Sequence, residues 1–313
     1  MASSGDTAGA VHDVVIIGAG VAGVSCALEC VDIQLDTVAF EAEPEPCGQL
    51  VEIPHSIRNV ATGWFADGAA LCRGLQDAAR TLGDRLQLAH PVTAVDLGGR
   101  WIEANGTRVH ARALVLATGS ARQQLPGAVD GAFGGDVTYQ LESEPDRFVG
   151  RDVVVIGGGD SATLDALELA RQGSSVKLVH RSETLTARHD IIDNLRDESR
   201  IEELAGWELE SVNGGDRVEE VVIVRRGTGE QRRLPAGGVV VKIARAPRTH
   251  LFRDQLEVDR AGAIVVDREQ RTSCEGVFAA GDVVAGAYPR VAAASGQGSV
   301  AAWSVLRYLQ HRS

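Results

Sequence analysis

Two glycine-rich turns, each set between an apolar strand-forming run and a helix-forming run, constrain the fold of this chain more than any other feature. Residues 13–17, DVVII, are short, apolar and rich in β-branched side chains, which predicts a buried parallel strand. They lead into Gly18-Ala19-Gly20-Val21-Ala22-Gly23 and then VSCALECV, whose apolar spacing is helical. In such a strand–turn–helix unit the first glycine permits the tight turn and the second lets backbone approach a pyrophosphate. The third lets the helix pack closely on the strand. The helix N-terminus adds unpaired N–H groups and the positive end of its dipole. A second strand, TVAF, ends at Glu41, 23 residues after Gly18, where a carboxylate accepts hydrogen bonds from ribose hydroxyls.

The same construction recurs at 152–181. DVVVI runs into Gly157-Gly158-Gly159-Asp160-Ser161-Ala162 and the helical TLDALELARQ, and a second strand, SVKLVH, ends at His180-Arg181. The position after that strand is basic, which favours a 2′-phosphate and therefore NADP over NAD. One glycine-rich turn is weak evidence; two copies, each in strand–turn–helix context with a polar residue at the right distance, are strong. Two further strands end in small or acidic residues. ALVLATGS (113–120) closes on Ala117-Thr118-Gly119, and GVFAAGDVV (276–284) delivers Asp282 before a final amphipathic helix, AAASGQGSVAAWSVLRYL. Ligands of open α/β sheets lie beyond the carboxyl ends of the strands, so Gly119 and Asp282 point to the first nucleotide site. The alternating stretch 207–226, broken by NGGD, reads as a hairpin appended to the second unit.

Composition narrows the function classes. The net charge is -12, with 16 basic and 22 acidic residues in 121–245 and 15 against 21 elsewhere. Charge spread this evenly leaves no basic face for nucleic acid or an anionic membrane. The N-terminus lacks the basic start and apolar core of a signal peptide, and no apolar run is long enough to span a bilayer. The five cysteines (Cys26, Cys30, Cys47, Cys72 and Cys274) form no CxxC and no metal-ligand spacing. Scattered thiols of odd number suit a reducing, cytoplasmic setting better than a disulfide framework.

Taken in order, GAGVAG, CGQL, Asn59, ATG, GGGDSA, HR, GVFAAGD and AAASGQGSVAA resemble the thioredoxin-reductase-like group of class II pyridine nucleotide-disulfide oxidoreductases, over nearly the whole chain. The resemblance implies an α/β fold of two Rossmann-like, doubly wound dinucleotide-binding domains, the second inserted in the first. An FAD-binding domain would comprise 1–120 and 246–313, an NAD(P)H-binding domain 121–245, and the molecule would be a homodimer. It implies that Gly18, Gly20, Ala22 and Gly23 hold the FAD pyrophosphate and Glu41 its ribose, and that Val92 meets the adenine through its backbone. Gly48, Gln49, Leu50 and Asn59 would lie along the isoalloxazine and ribitol, with Ala117 and Gly119 beside them and Asp282 on the ribitol. The last helix, preceded by Arg290, would aim its N-terminus at the flavin N1–C2=O edge. NADPH (or NADH) would fall to Gly157, Gly159, Asp160, Ser161, Ala162, His180, Arg181 and Arg188.

The departures from that group bear on the reaction. Its dithiol positions are here Gln140 and Ser143, which neither form nor attack a disulfide, and no other cysteine pair is expected to replace them. The segment TYQLESEPDRFVGRDVVVIGGGDSA is similar to that of the ferredoxin/flavodoxin–NADP reductases of thioredoxin-reductase type. The group's paired arginines at the 2′-phosphate are here Arg181-Ser182, with Thr186 replacing a third. Cys47 stands where the group has glycine; it is a candidate redox thiol, although a single cysteine there is more often a small packing residue. His55 is the better of two candidate proton donors, His189 being the other. Arg290 could stabilise reduced flavin or hold a substrate carboxylate, against the plainer reading of a surface arginine. Trp64 could wall a substrate cavity, or simply pack. Cys26 and Cys30 read as core packing, and Arg225-Arg226 and Arg232-Arg233 as a solvated face, the one place offered to an acidic carrier. The expected function is an FAD-dependent NAD(P)H oxidoreductase that passes hydride to FAD and on to an external acceptor, a small redox carrier protein such as ferredoxin or flavodoxin. The alternatives are an FAD oxidase or dehydrogenase acting directly on a small-molecule substrate, and a non-catalytic nucleotide-binding sensor.

Overall fold

The computed structural model describes residues 11–311, apart from 54–55, 124, 126–127, 142–143, 145 and 244. The chain forms two compact units, Met1–Ala121 with Ala246–Ser313, and Arg122–Arg245. In the first, Val11–Ile17 lies between two parallel neighbours, Thr37–Phe40 (Val14 opposite Thr37) and Thr107–Leu116 (Val15 opposite Leu114). Val277–Ala279 adds in parallel to Thr107–Leu116, and Leu86–Gln87 flanks Thr37–Phe40. The antiparallel pair Val92–Asp96 and Trp101–Ala104 completes this seven-stranded sheet.

The run of apolar residues in Val11–Ile17 follows from burial on both faces. Val14 and Ile16 pack with Cys26, Ala27, Ala301 and Val305 on one side. Val15 and Ile17 pack with Leu114, Leu116, Phe252 and Ile264 on the other. The strand expected over 276–284 is confined to Val277–Ala279, and the remainder turns to carry Asp282. The strand expected at 113–120 instead begins at Thr107, because its first half pairs with Trp101–Ala104.

Two helices cover one face of the first sheet: Val21–Asp32, and Val291–Gln310 near the other end of the chain. Their backbones cross closely. A Cβ on Gly298 would overlap the Ala22 carbonyl, and Ser25 Oγ lies 3.0 Å from Ser295 Oγ.

The second unit holds a five-stranded parallel sheet of Val137–Thr138, Gly238–Val241, Asp152–Ile156, Ser175–His180 and Ile201–Ala205. The helices Asp160–Arg171 and His189–Arg196 bury Val153, Val155 and Leu178 on one face. The expected hairpin forms as Trp207–Gly214 and Val218–Arg225, joined by a third strand, Gln231–Pro235. This antiparallel sheet packs Val221, Ile223 and Leu234 against Val154, Ile156 and Val239, closing the other face.

Asp136 ties the two sheets of this unit together. Its fully buried carboxylate accepts from Arg217 Nε (2.6 Å) and Nη2 (2.7 Å), from Arg151 Nη1 (3.1 Å) and from the Val218 N–H (3.2 Å). Burial alone would push the carboxyl up, but these hydrogen bonds outweigh it and bring the pKa from 3.8 down to about 2. A depressed carboxylate pKa contributes stability that is present above the unfolded value and lost as pH falls through the folded one. Here that window runs from about pH 4 to about pH 2, and the contribution is about 2 kcal/mol. Asp136→Asn should therefore lower stability at pH 7 by about 2 kcal/mol or more. It should also flatten the loss of stability below pH 4 in urea melts of the full chain; an unchanged acid limb would mean that Asp136 does not carry it.

Candidate functional site

At the first glycine turn, Gly18 has φ +100° and a Cβ there would overlap the Ala117 carbonyl, so the turn requires glycine. The following helix begins after Gly20 with no side-chain cap on its N–H groups. Gly48 has φ +52° and its added Cβ would stand 3.2 Å from Gly20 Cα, so two glycines line a narrow backbone crevice. Glu41 projects to the same turn, where its Oε2 accepts from the Ala19 N–H at 2.6 Å and its Oε1 from the Glu43 N–H at 3.1 Å.

The 3₁₀ turn Gly48–Glu52 carries Gln49, whose Nε2 donates to Ser120 Oγ and to Asp282 Oδ2, both at 3.1 Å. Gln49 and Asp282, expected on a common ligand, are thus already joined. Gly119 lies against the Gln49 amide and its carbonyl accepts from the Arg248 N–H at 2.9 Å. Gln297 Oε1 accepts from the Gly281 N–H at 2.8 Å and so holds the turn before Asp282. Ser120 and Gln297 are residues that sequence reasoning did not single out. Both lie inside the segments ALVLATGS and AAASGQGSVAA, with no spacing of their own to mark them.

Other expected residues are placed as follows. Ala22 and Leu50 are buried, Val92 is half-buried on its antiparallel strand, and Asn59 is exposed on Ile57–Val60. Trp64 is 63% exposed, so it packs little. His55 lies outside the described residues, and His189 is an exposed residue opening a short helix. Arg290 precedes the last helix, but its guanidinium folds back, donating to the Pro289 carbonyl at 2.9 Å and lying 4.8 Å over the Tyr288 ring. That geometry favours the plainer reading, in which only the backbone at Arg290 serves the helix terminus. Cys26 and Cys30 are fully buried in the core; the Cys30 side chain and burial push the Cys26 thiol well up, which makes it inert.

Cys47 corrects the sequence reading. It is neither a lone thiol nor a simple glycine substitute, because it forms a disulfide with Cys72 on the helix Gly68–Arg80, with Cα atoms 5.4 Å apart. Both cysteines are buried, in a small apolar cluster with Leu50, Val21 and Val291, the last two being the first residues of the two crossing helices. Two of the five cysteines are therefore paired, against the expectation of scattered single thiols, and the inference from unpaired thiols to a reducing compartment loses its premise. The partners are 25 residues apart, a separation with no motif to announce it, and packing of a helix against a turn brings them together.

At the second turn Gly157 has φ +143°, and a Cβ there would overlap the Lys242 carbonyl. The helix Asp160–Arg171 starts after Gly159 with no side-chain cap; Ser161 is exposed in its first turn and Ala162 is buried. Beneath the turn, Lys242 pairs with Asp165 at 3.2 Å with little exposure on either side. The signal for this pair in the sequence is a lysine inside the apolar GVVVKI. His180 is buried at the end of its strand, Nε2 3.0 Å from Glu203 Oε1, while Nδ1 is buried without a hydrogen-bond partner. Arg181 is exposed, but Arg188 is committed to Asp160 (3.3 Å) and Asp190 (3.8 Å). The arginines of the antiparallel sheet are also engaged: Arg232 with Glu202 (3.0 Å), Arg233 with Glu220 (2.6 Å) and Arg226 with Glu208 (3.9 Å). Arg225 lies over the Trp207 ring at 5.6 Å. Gln140, at one of the two dithiol positions of the resembled group, is exposed, and Ser143 lies outside the described residues.

Residues 12–298 match the model of the pyridine nucleotide-disulphide oxidoreductase family. The chain belongs to that family. It is 32% identical to a thioredoxin reductase of Streptomyces clavuligerus, over 96% of this chain and 94% of the relative. It is 28% identical to a 34.2 kDa protein in the rubredoxin operon of Clostridium pasteurianum, over 95% and 97% of the two chains. Among solved structures it is similar to the thioredoxin reductase of Lactococcus lactis, with a TM-score of 0.82, 28% identity and coverage of 96% and 99%. This family member is thus an FAD-dependent oxidoreductase of thioredoxin-reductase type with two Rossmann-like domains. No helix among the described residues is long and apolar enough to cross a membrane.

The disulfide gives a direct test. Under denaturing conditions the native protein should titrate three thiols, from Cys26, Cys30 and Cys274, and five after reduction. Closing a loop of this length is worth about 3 kcal/mol, so Cys72→Ala should lower stability by about that amount in denaturant melts. Five thiols before reduction would show that Cys47 and Cys72 are not joined in the isolated protein.

Proposed function

We propose that this protein is an NAD(P)H-dependent FAD reductase that delivers electrons to an external acceptor, with the first unit holding FAD and the second the nicotinamide dinucleotide. The observation that carries the reading is the duplicated uncapped helix N-terminus behind a glycine turn, at Gly20 and again at Gly159. Each offers free N–H groups and a positive dipole end to a pyrophosphate. The residues fit FAD in the first unit. The Gly20–Gly48 crevice excludes side chains, Glu41 stands at the ribose end of the turn, and Gln49 and Asp282 form a prearranged polar pair. Bound there, FAD supplies two-electron acceptance from a nicotinamide and release of those electrons to another partner.

The chain's own residues orient and tune. Gly18, Gly20, Ala22 and Gly23 present backbone to the pyrophosphate, and Gly48 and Leu50 shape the turn over it. Asn59, Ala117 and Gly119 complete the flavin-side lining, and the Val92 backbone meets the adenine. The N-terminus of Val291–Gln310, uncapped by any side chain, favours negative charge in front of it. In the second unit Gly157, Gly159, Asp160, Ser161 and Ala162 form the pyrophosphate turn, with His180, Arg181 and Arg188 at the adenosine end.

For the acceptor, a small redox carrier such as ferredoxin or flavodoxin is the first reading, because Gln140 removes the family's dithiol position. A second reading, direct action on a small molecule, is favoured by the ion pairing of Arg226, Arg232 and Arg233, which takes away the patch an acidic carrier would use.

The test is anaerobic stopped-flow of the FAD-loaded protein with NADPH and with NADH; bleaching of the flavin band by either is expected, and bleaching by neither would overturn the reading. Gly159→Ala adds a Cβ with only Thr186 Oγ1 near it, at 3.9 Å, so it should fold and keep FAD while flavin reduction slows about tenfold or more. Cytochrome c reduction on adding ferredoxin would then support the carrier, and dependence on a metabolite alone the small molecule.

A further inference from the structure

The basic position after the strand Ser175–His180 favours a 2′-phosphate on sequence grounds, but the structure around it favours the opposite. The His180 side chain is 2% exposed, and its Nε2 lies 3.0 Å from Glu203 Oε1. A carboxylate only accepts, so Glu203 takes the proton on Nε2, and the tautomer it selects carries its lone pair on Nδ1. That Nδ1 is buried and has no hydrogen-bond partner. It faces the glycine turn: a Cβ added to Gly158 would come 3.0 Å from His180 Cβ and 3.5 Å from Nδ1. An orphaned acceptor at this point, the end of the second strand of a dinucleotide-binding unit, is where an adenosine ribose is met. The free 2′-hydroxyl of an unphosphorylated ribose donates to such a nitrogen, whereas a 2′-phosphate, largely the dianion at neutral pH, puts acceptor oxygens in that place.

The surrounding charges point the same way. Glu203 stands behind the ring, and the Glu183 carboxylate lies by Gly206, whose N–H donates to the His180 carbonyl at 2.9 Å. Asp160 and Asp190 hold Arg188, leaving Arg181 as the nearby guanidinium in no ion pair given by the structure. Thr186, where the resembled group has an arginine, spends its hydroxyl on the Gly158 carbonyl at 3.1 Å. Glu203, Glu183 and the already paired Asp160, Asp190 and Arg188 make a poor setting for a group carrying about two negative charges.

We propose that His180 and Glu203 select a nicotinamide dinucleotide with a free 2′-hydroxyl, so that the enzyme prefers NADH to NADPH. His180 accepts from the adenosine ribose through Nδ1, and Glu203 is a positioning residue that fixes the tautomer. Because Nδ1 is closed off from solvent, the Gly157–Gly159 turn shifts as the ribose arrives. The inference rests on reading the second unit as the nicotinamide site.

The experiment is isothermal titration of the full-length, FAD-loaded protein with ADP-ribose and with 2′-phospho-ADP-ribose, neither of which reduces flavin. ADP-ribose should bind about tenfold tighter or more, the scale of one well-placed hydrogen bond plus relief from like charge. Glu203→Gln, which keeps the side-chain shape but permits either tautomer, should bring the ratio towards parity without changing thermal stability much. Nitrogen NMR of the His180 ring should show an unprotonated Nδ1 whose resonance moves on adding ADP-ribose. Tighter binding of the phosphorylated ligand, or an unchanged ratio in Glu203→Gln, overturns the inference alone. Failure of the wild type to bind either ligand overturns the nicotinamide-site reading and this inference with it.

Discussion

The close crossing of Val21–Asp32 and Val291–Gln310 is the contact on which the first unit depends. It joins positions near the two ends of the chain, Ser25 and Ser295, 270 residues apart. It is possible only because Gly298 offers no Cβ to the Ala22 carbonyl and Gly281 none to the Ala22 methyl. Backbones packed this closely fix the two uncapped N-termini relative to each other with little slack, since interiors at this density do not deform continuously. The polar pair of Gln49 and Asp282 is a by-product of the same arrangement, one partner following the first strand–helix unit and the other preceding the last helix. A discontinuous unit of this kind has to complete its core from both ends before it has a site at all.

The second unit is organised by buried charge. Asp136 with its two arginines fastens one sheet to the other, Lys242 with Asp165 sits under the glycine turn, and Glu203 orients His180. Each is a place where removal of one partner leaves an uncompensated group away from water, which penalises alternatives more than it adds to stability. Asp136 and Arg151 precede parallel strands at their amino ends, whereas Lys242 and His180 stand at carboxyl ends, where the interactions that specify the sheet also shape its ligand edge.

The frame of both units was legible because backbone requirements leave marks on sequence. Gly18 and Gly157 stand where no Cβ is tolerated, and after the opening aspartate DVVII and DVVVI are apolar because both faces of each strand are covered. Long-range side-chain pairings left no such mark. Asp136 reads as one more surface aspartate until the antiparallel sheet brings Arg217 to it. Arg225 and Arg226 read as a free basic face until strand pairing supplies Trp207 and Glu208 as neighbours. Cys47 and Cys72 were each visible, but pairing them requires knowing that Gly68–Arg80 packs back on the turn after Cys47. The resemblance places Arg188 at the dinucleotide, while its commitment to Asp160 is a property of how the loop returns to the helix.

The disulfide also changes the covalent topology of the chain. Residues 47 to 72 form a closed ring containing Gln49, Asn59 and Trp64, with the rest of the protein leaving it at two points. A peptide bond cut within the ring leaves both fragments attached, so nicking there adds only the mass of one water, and the fragments part only when the sulfur bridge is opened as well. The flavin-side turn thus belongs to a loop that is anchored at both ends by covalent bonds, and its motions are those of a ring and not of a strand with a free path to either terminus.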